Sequence, residues 1–249
     1  MRQIRVMAKA LLALLLFLGL PAGAFELPTA SKQVVVGLAD SWDASHVSVT
    51  LYERSGKSWQ RVAGPWKGRL GKRGLAWGRG LHPLPTGSGA KREGDWKAPA
   101  GVFRIGGAWG YAPAKKLQMH PKLFYRQVTT RDLWYEDPAS KYYNQYRHLD
   151  HEPKTASEKK AQMKQGDYPH SLKLFIAHNA PPKATPGAGS AIFFHIWRGG
   201  GAKPTSGCTT LPEPKLKTLL ARLNPDLQPL YVLLPKAEYD KRRKEWKLP

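Results

Sequence analysis

The chain contains a single cysteine, Cys208, and a histidine, His195, thirteen positions before it. The stretch that joins them reads SAIFFHIWRGGGAKPTSGCTTL. A thiol becomes a strong nucleophile only on losing its proton, which in free cysteine happens near about pH 8.5. An adjacent imidazolium or the positive end of a helix lowers that value. His195 lies in a strand-like run with Ile192, Phe193, Phe194, Ile196 and Trp197 around it, so its ring is expected to be held and partly desolvated. Gly199 to Gly201 let the chain turn back towards the thiol. Gly207 permits a tight turn that exposes the main-chain N–H groups of Gly207 and Cys208, a candidate oxyanion hole. Such a set suits acyl transfer through a thioester. Spacing by itself leaves a second reading open, an inert buried thiol that follows a core histidine.

The elements that must position this pair are mostly short strands. Residues 32–38 (KQVVVGL) and 46–54 (HVSVTLYER) are rich in β-branched residues, and RSGK then offers a hairpin turn into SWQRVAG. Further strands are expected at 99–107, 172–179, 190–197 and 229–234. This pattern predicts a mainly β fold, sandwich- or barrel-like, with few short helices. Residues 108–170 break it: they are rich in tyrosine and charge and show no sustained alternation. Their aromatic content predicts an ordered inserted cover, with a short helix at 155–165 capped by Thr155 or Ser157. Beyond the cysteine, Leu216, Leu219, Leu220 and Leu223 share one helical face, and Asn224-Pro225 ends it. Thr210 and Glu213 have capping-box spacing, with Pro212 and Pro214 in the first turn, which would set Cys208 just before a helix N-terminus.

The first residues, MRQIRVMAKALLALLLFLGLPAGAFELP, pair a basic start with a short apolar run and a small-x-small site at Ala22-Gly23-Ala24. They predict a signal peptide over 1–24, and hence an exported protein of the periplasm or cell wall with no membrane span after cleavage. One cysteine in an oxidising compartment forms no internal disulfide. The formal charge of +22 predicts affinity for anionic envelope polymers or a solvated basic surface, and export excludes nucleic acid as the partner. The basic residues are scattered apart from KRRK at 241–244, so the division expected is a catalytic domain at 25–240 and a basic tail at 241–249, acting as a monomer.

The segment GSAIFFHIWRGGGAKPTSGCTTL resembles the active-site region of the YkuD-type L,D-transpeptidase family, with Thr205, Ser206, Gly207 and Cys208 in its [ST]-x-G-C motif and His195 as the upstream histidine. SWDAS, GLAWGRGL, KREGDWKAPAGVFRIGGAWGY and LWYEDPASKYYN extend the similarity over most of 34–234. The resemblance implies a mainly β catalytic domain, Cys208 as nucleophile, His195 as base, and no metal or cofactor. The implied substrate is a peptidoglycan stem tetrapeptide: D-Ala leaves, and a second stem amine takes the acyl group in a 3→3 crosslink. It also implies acylation by carbapenems. Many members carry histidine immediately before Gly-Cys, where this chain has Ser206, so the resemblance leaves His195 as the sole base. It also keeps open an L,D-carboxypeptidase or endopeptidase that hands the acyl group to water. A non-catalytic wall-binding protein is a different reading, against which the intact Cys-His pair argues.

Other constellations are weaker. Thr205, Ser206, Trp134 and Asn144 are candidate substrate contacts, and Tyr142 and Tyr143 accompany the last two in the cover. HLDHE at 148–152 has metal-like HxxH spacing but no further ligand pair near it. The glycine-rich 74–95 region lacks a GK[ST] ending and reads as turns. His178-Asn179 ends a strand before the active-site segment, with a supporting or purely structural role.

Overall fold

An apolar run and then an alternating one, joined to a third strand by a hairpin turn, build the first three elements. β1 (Gln33–Ala39), β2 (His46–Ser55) and β3 (Ser58–Arg69) form an antiparallel meander in the computed structural model, which describes residues 25–249. The signal segment expected at 1–24 lies outside the described residues. The chain continues through β4 (Leu75–Trp77), β5 (Ala98–Gly110), β6 (Tyr125–Gln127), β7 (Asp132–Trp134), β8 (Tyr146–His148) and α1 (Ala156–Lys160). It then forms β9 (Leu172–Ile176), β10 (Phe193–Ile196), β11 (Thr209–Leu211), α2 (Glu213–Arg222), β12 (Leu230–Pro235) and α3 (Lys236–Arg242).

Pairing runs β12–β1–β2–β3–β11–β10–β9–β5 and returns to β12, which closes a barrel. The long strand β5 makes the closure: residues 101–104 pair with β12, and its second half pairs with β9. The register shifts between Ile105 and Ala108, across Gly106-Gly107, where two residues without side chains let the strand bend from one neighbour to the other. β1 and β12 pair in parallel and are buried nearly throughout, which is why both read as unbroken apolar runs rather than as alternation. α2 buries Leu216, Leu219 and Leu220 against the barrel, each worth about 1.5–3 kcal/mol on removal from water.

Residues of the 108–170 segment build a second core, although Ala108 and Leu123 belong to the main one. Trp109, Val128, Trp134, Met163 and Phe193 cluster outside the barrel, with Phe175, Ala191 and Cys208 packed at their edge. Alternation along β10 divides the labour: Phe194 and Ile196 join the main core, whereas Phe193 belongs to the cover's cluster. His195 takes the same face of the strand as Phe193. Asp132 anchors the cover, accepting from Arg126, Tyr146, and both the amide and hydroxyl of Thr129. Thr155 caps α1 in a capping box with Glu158.

Two expectations change. Thr210 does not cap α2: it pairs with Arg69 of β3 and His195 of β10 inside β11, which holds its backbone extended, and Pro212 takes the cap position. The helix therefore starts five residues after Cys208, with a strand between, and its positive end is not directed by sequence adjacency onto the thiol. Residues 241–249 do not stand apart as a tail. Trp246 and Leu248 are buried in the main core, Trp246 stacks on His82, and the Leu27 amide donates to the Trp246 carbonyl.

Candidate active site

Cys208 and His195 line one cleft of about 460 Å³, together with His170, Thr205 and Ser206. β10 sits between β9 and β11, and this placement delivers both groups: His195 lies on the strand itself, and Cys208 immediately precedes its parallel neighbour. The thiol is held by main chain. Its Sγ accepts from the Phe193 amide at 3.4 Å and donates to the Ala191 carbonyl at 3.5 Å. Burial pushes the Cys208 thiol up to about 11. The His195 Nδ1 lies 2.8 Å from the Ile196 carbonyl; a carbonyl only accepts, so Nδ1 carries the hydrogen and Nε2 presents a lone pair. Burial, reinforced by neighbouring His170, pushes the His195 ring down to about 3. Burial thus favours the neutral form of both groups, against the Phe193 amide, Lys173 and Lys91, which favour the thiolate. The helix end expected to adjoin the thiol is displaced from it by β11.

The turn before the thiol is fixed by Thr205, whose hydroxyl donates to the Cys208 carbonyl at 2.7 Å and accepts from the Gly207 amide at 3.0 Å. Gly207 stands at φ +149, and a Cβ there would meet the Lys97 carbonyl oxygen at 2.9 Å, so the position requires glycine. The Gly207 N–H must leave Thr205 before it can serve an oxyanion. Ser206 lines the cleft.

Trp134 and Asn144 do not line it. Both are buried, at 5% and 1% exposure, and they are bonded to each other through the indole N–H and Oδ1. Asn144 Oδ1 also accepts from the Ala191 amide at 3.0 Å, and its Nδ2 donates to the carbonyls of His178 and Asn179. Ala191 lies at φ +51, a conformation that costs a Cβ-bearing residue about 1–2 kcal/mol, and Asn144 holds it there with its carbonyl on the thiol. Tyr143 turns its hydroxyl to Glu93. His178 is fully buried between the Arg79 amide and the Ala188 carbonyl, and Asn179 pins the Thr185 and Gly189 carbonyls, so this pair shapes the loop leading to β10. His148 and His151 face carboxylates of the cover, Asp132 for the first, Asp150 and Glu158 for the second.

Three groups near the site escaped sequence reasoning. Lys173 on β9 is directly opposite His195, buried to 4% exposure, with Nζ on the Met163 carbonyl at 2.8 Å. Burial lowers this amine to about 8, against the opposing influence of Cys208, Asp167 and Glu136. His170 packs on His195 with ring centroids 4.7 Å apart, so the cleft has two imidazoles even though Ser206 supplies none. Asp167, three residues before His170, bonds its Nδ1. The i, i+3 spacing in DYPH was the available signal, but it lies in a polar stretch whose path only the fold defines. Lys72, Arg198 and Lys203 give the cleft a cationic wall, with no carboxylate lining it among the described residues.

No helix among the described residues is long and apolar enough to cross a membrane. None of the curated proteins matches the chain. The solved structures similar to it include the helical cell shape determining protein Pgp2 from Campylobacter jejuni, at 15% identity and a TM-score of 0.36, covering 82% of this chain and 49% of that one. A point mutant of the same Pgp2 matches at 15% identity and a TM-score of 0.37, covering 86% and 51%. The chain thus spans about half the length of these structures. The family model for the YkuD L,D-transpeptidase catalytic domain matches residues 68–232, which takes in β5, the cover and the whole Cys208 cleft. Extending over more than half of the sequence, that match makes the chain a member of the YkuD family of L,D-transpeptidase catalytic domains.

Proposed function

We propose that the protein is a peptidoglycan L,D-transpeptidase that carries the stem peptide as a thioester on Cys208. The observation that supports this most directly is the convergence of Cys208 and His195 on one cleft walled by Lys72, Arg198 and Lys203. A stem tetrapeptide ending in D-Ala is rich in carboxylates, and such a wall attracts and orients them. Burial favours the neutral thiol and imidazole, so in this mechanism the proton passes as the peptide carbonyl arrives. His195 Nε2 takes the Sγ proton while the C–S bond forms. The imidazolium then gives that proton to the departing D-Ala amine, leaving the thioester. The amine of a second stem displaces Sγ and forms the 3→3 crosslink. Thr205 and Gly207 shape the turn beneath the developing oxyanion, and Trp134 and Asn144 act behind it by fixing Ala191.

In this reading the protein works outside the cytoplasm, in the wall compartment, where its excess of basic residues suits anionic polymers. The test is to incubate purified protein with disaccharide-tetrapeptide fragments and follow the products by mass spectrometry, with Cys208→Ala alongside. Crosslinked dimers formed with loss of D-Ala, and absent with Cys208→Ala, are the expected result. Tripeptide monomers alone would replace transpeptidation with hydrolysis of the same bond. No cysteine-dependent product would overturn the acyl-transfer reading.

A further inference from the structure

The cleft contains a second imidazole besides that of His195. His170 lies in a single helical turn, Tyr168–Ser171, directly before β9, and its Nδ1 lies 2.8 and 2.9 Å from the two carboxylate oxygens of Asp167. A carboxylate only accepts, so Nδ1 carries the hydrogen and Nε2 offers a lone pair. Arg198 donates to Asp167 Oδ2 at 2.6 Å through a nitrogen that also lies 3.3 Å from His170 Nδ1, so the closer carboxylate oxygens decide the tautomer. Asp167 stays below the usual carboxylate range although burial opposes this, because His170 and Arg198 both bond it. The ring packs at 4.7 Å on His195 and lines the same cleft as the thiol.

The two imidazoles differ in what stands behind them. His195 leans on a neutral carbonyl and is almost wholly enclosed, at 3% exposure. His170 leans on an anion, which favours the positive charge that a proton acceptor must carry even though burial, Lys173 and Arg198 together hold its ring below the ordinary histidine value, and it retains more contact with solvent. A base for an acceptor that enters from solution needs the second set of properties. We propose that His170, oriented by Asp167, is the base that activates the acyl acceptor in the second half of the reaction. The inference rests on the reading of Cys208 as the carrier of the acyl group. The neutral acceptor amine attacks the thioester carbonyl, its N–H proton passes to His170 Nε2, the C–N bond forms and the C–S bond breaks. The proton then returns to the departing sulfur and restores the resting thiol. His170 is the catalytic residue of this step and Asp167 its positioning residue.

Pre-steady-state mass spectrometry of the intact protein with disaccharide-tetrapeptide separates the two halves. His170→Gln is expected to lower turnover roughly 10²- to 10³-fold, the usual share of a general base, and to slow acylation of Cys208 far less, the change there reading its packing on His195. The thioester adduct then accumulates, and Asp167→Asn accumulates it to a lesser degree. Added imidazole is expected to restore turnover to His170→Ala at least about tenfold, a rescue that a misfolded variant would not give. Turnover of His170→Gln within about threefold of the unsubstituted protein would overturn the proposal. So would parallel loss of acylation and turnover without an adduct. If the unsubstituted protein itself neither forms an adduct on Cys208 nor changes the substrate, the thioester reading falls and this proposal with it.

Discussion

Replacing Asn144 by alanine tests the support behind the thiol. The side chain is 1% exposed and makes four hydrogen bonds: it accepts from the Trp134 indole and the Ala191 amide, and donates to the carbonyls of His178 and Asn179. Alanine strands all four partners in the interior, at about 1 kcal/mol each. Residue 144 also stands at φ +56, where asparagine is tolerated and alanine costs about 1 kcal/mol more. The expected loss is therefore about 5 kcal/mol, at the low end of the whole stability of a typical domain. Urea unfolding followed by tryptophan fluorescence measures it, with an unchanged slope as the condition for comparing midpoints. The same variant frees Ala191, so Cys208 is expected to react faster with iodoacetamide under native conditions. Asn144→Asp separates shape from bonding: at neutral pH its anionic oxygen faces two carbonyls and is expected to be as damaging as alanine. Its deficit shrinks as acid protonates the carboxyl and returns one donor. A loss below about 2 kcal/mol for Asn144→Ala, or unchanged thiol reactivity, would refute the reasoning.

The resting thiol, pushed up to about 11, is expected to alkylate about tenfold faster per pH unit from 7 towards 10; a plateau already present at pH 6–7 would instead reveal a thiolate–imidazolium pair. Asp132 is held down near 2 because, against its burial, bonds from Tyr146, Thr129 and Arg126 favour the charged form. Its contribution is fully present above pH 4 and is lost as pH falls through 4 towards 2, so the stability gap between Asp132→Asn and the unsubstituted protein is expected to close over that window in urea titrations. Gly207→Ala, lacking room and strained at φ +149, is expected to abolish product formation in the stem-peptide assay while the barrel still unfolds cooperatively; full activity would contradict the close packing against Lys97. Trp246→Ala is expected to cost about 3–5 kcal/mol, measured by the same unfolding assay, whereas a dispensable tail would show no change.

The legible part of the fold was the part governed by local pattern. Alternation in 46–54 and the apolar runs at 32–38 and 229–234 marked strands, and the leucine face at 216–223 marked α2. Closure of the barrel was not legible, because β5 changes partners through a Gly-Gly bend and no local signal says which strands it meets. Thr210 satisfied a capping pattern, but main-chain pairing with Arg69 and His195 outweighed it. The cationic run at 241–244 obscured Trp246 and Leu248, whose apolar surfaces decide where the segment goes. At the site, Cys208 and His195 were visible from their motif. Lys173 and His170 were not, since a buried amine and a carboxylate-backed imidazole acquire their character from strand register and burial.

The parallel pairing of β1 with β12 ties Val34 to Leu230 and therefore has a temporal side. The β1–β2–β3 meander can form from neighbouring residues within microseconds, the timescale of a hairpin. Its outer border on β1 then remains an unmated apolar edge until residues 230–235 arrive to fill the seam between β1 and β5. Contacts of such sequence separation are slow to form, so an open sheet that could add a strand from a neighbouring molecule is the expected hazard of refolding. Refolding yield is accordingly expected to fall as concentration rises, and a soluble peptide with the sequence of β12 is expected to lower it by competing for that open seam while having no effect on the closed barrel.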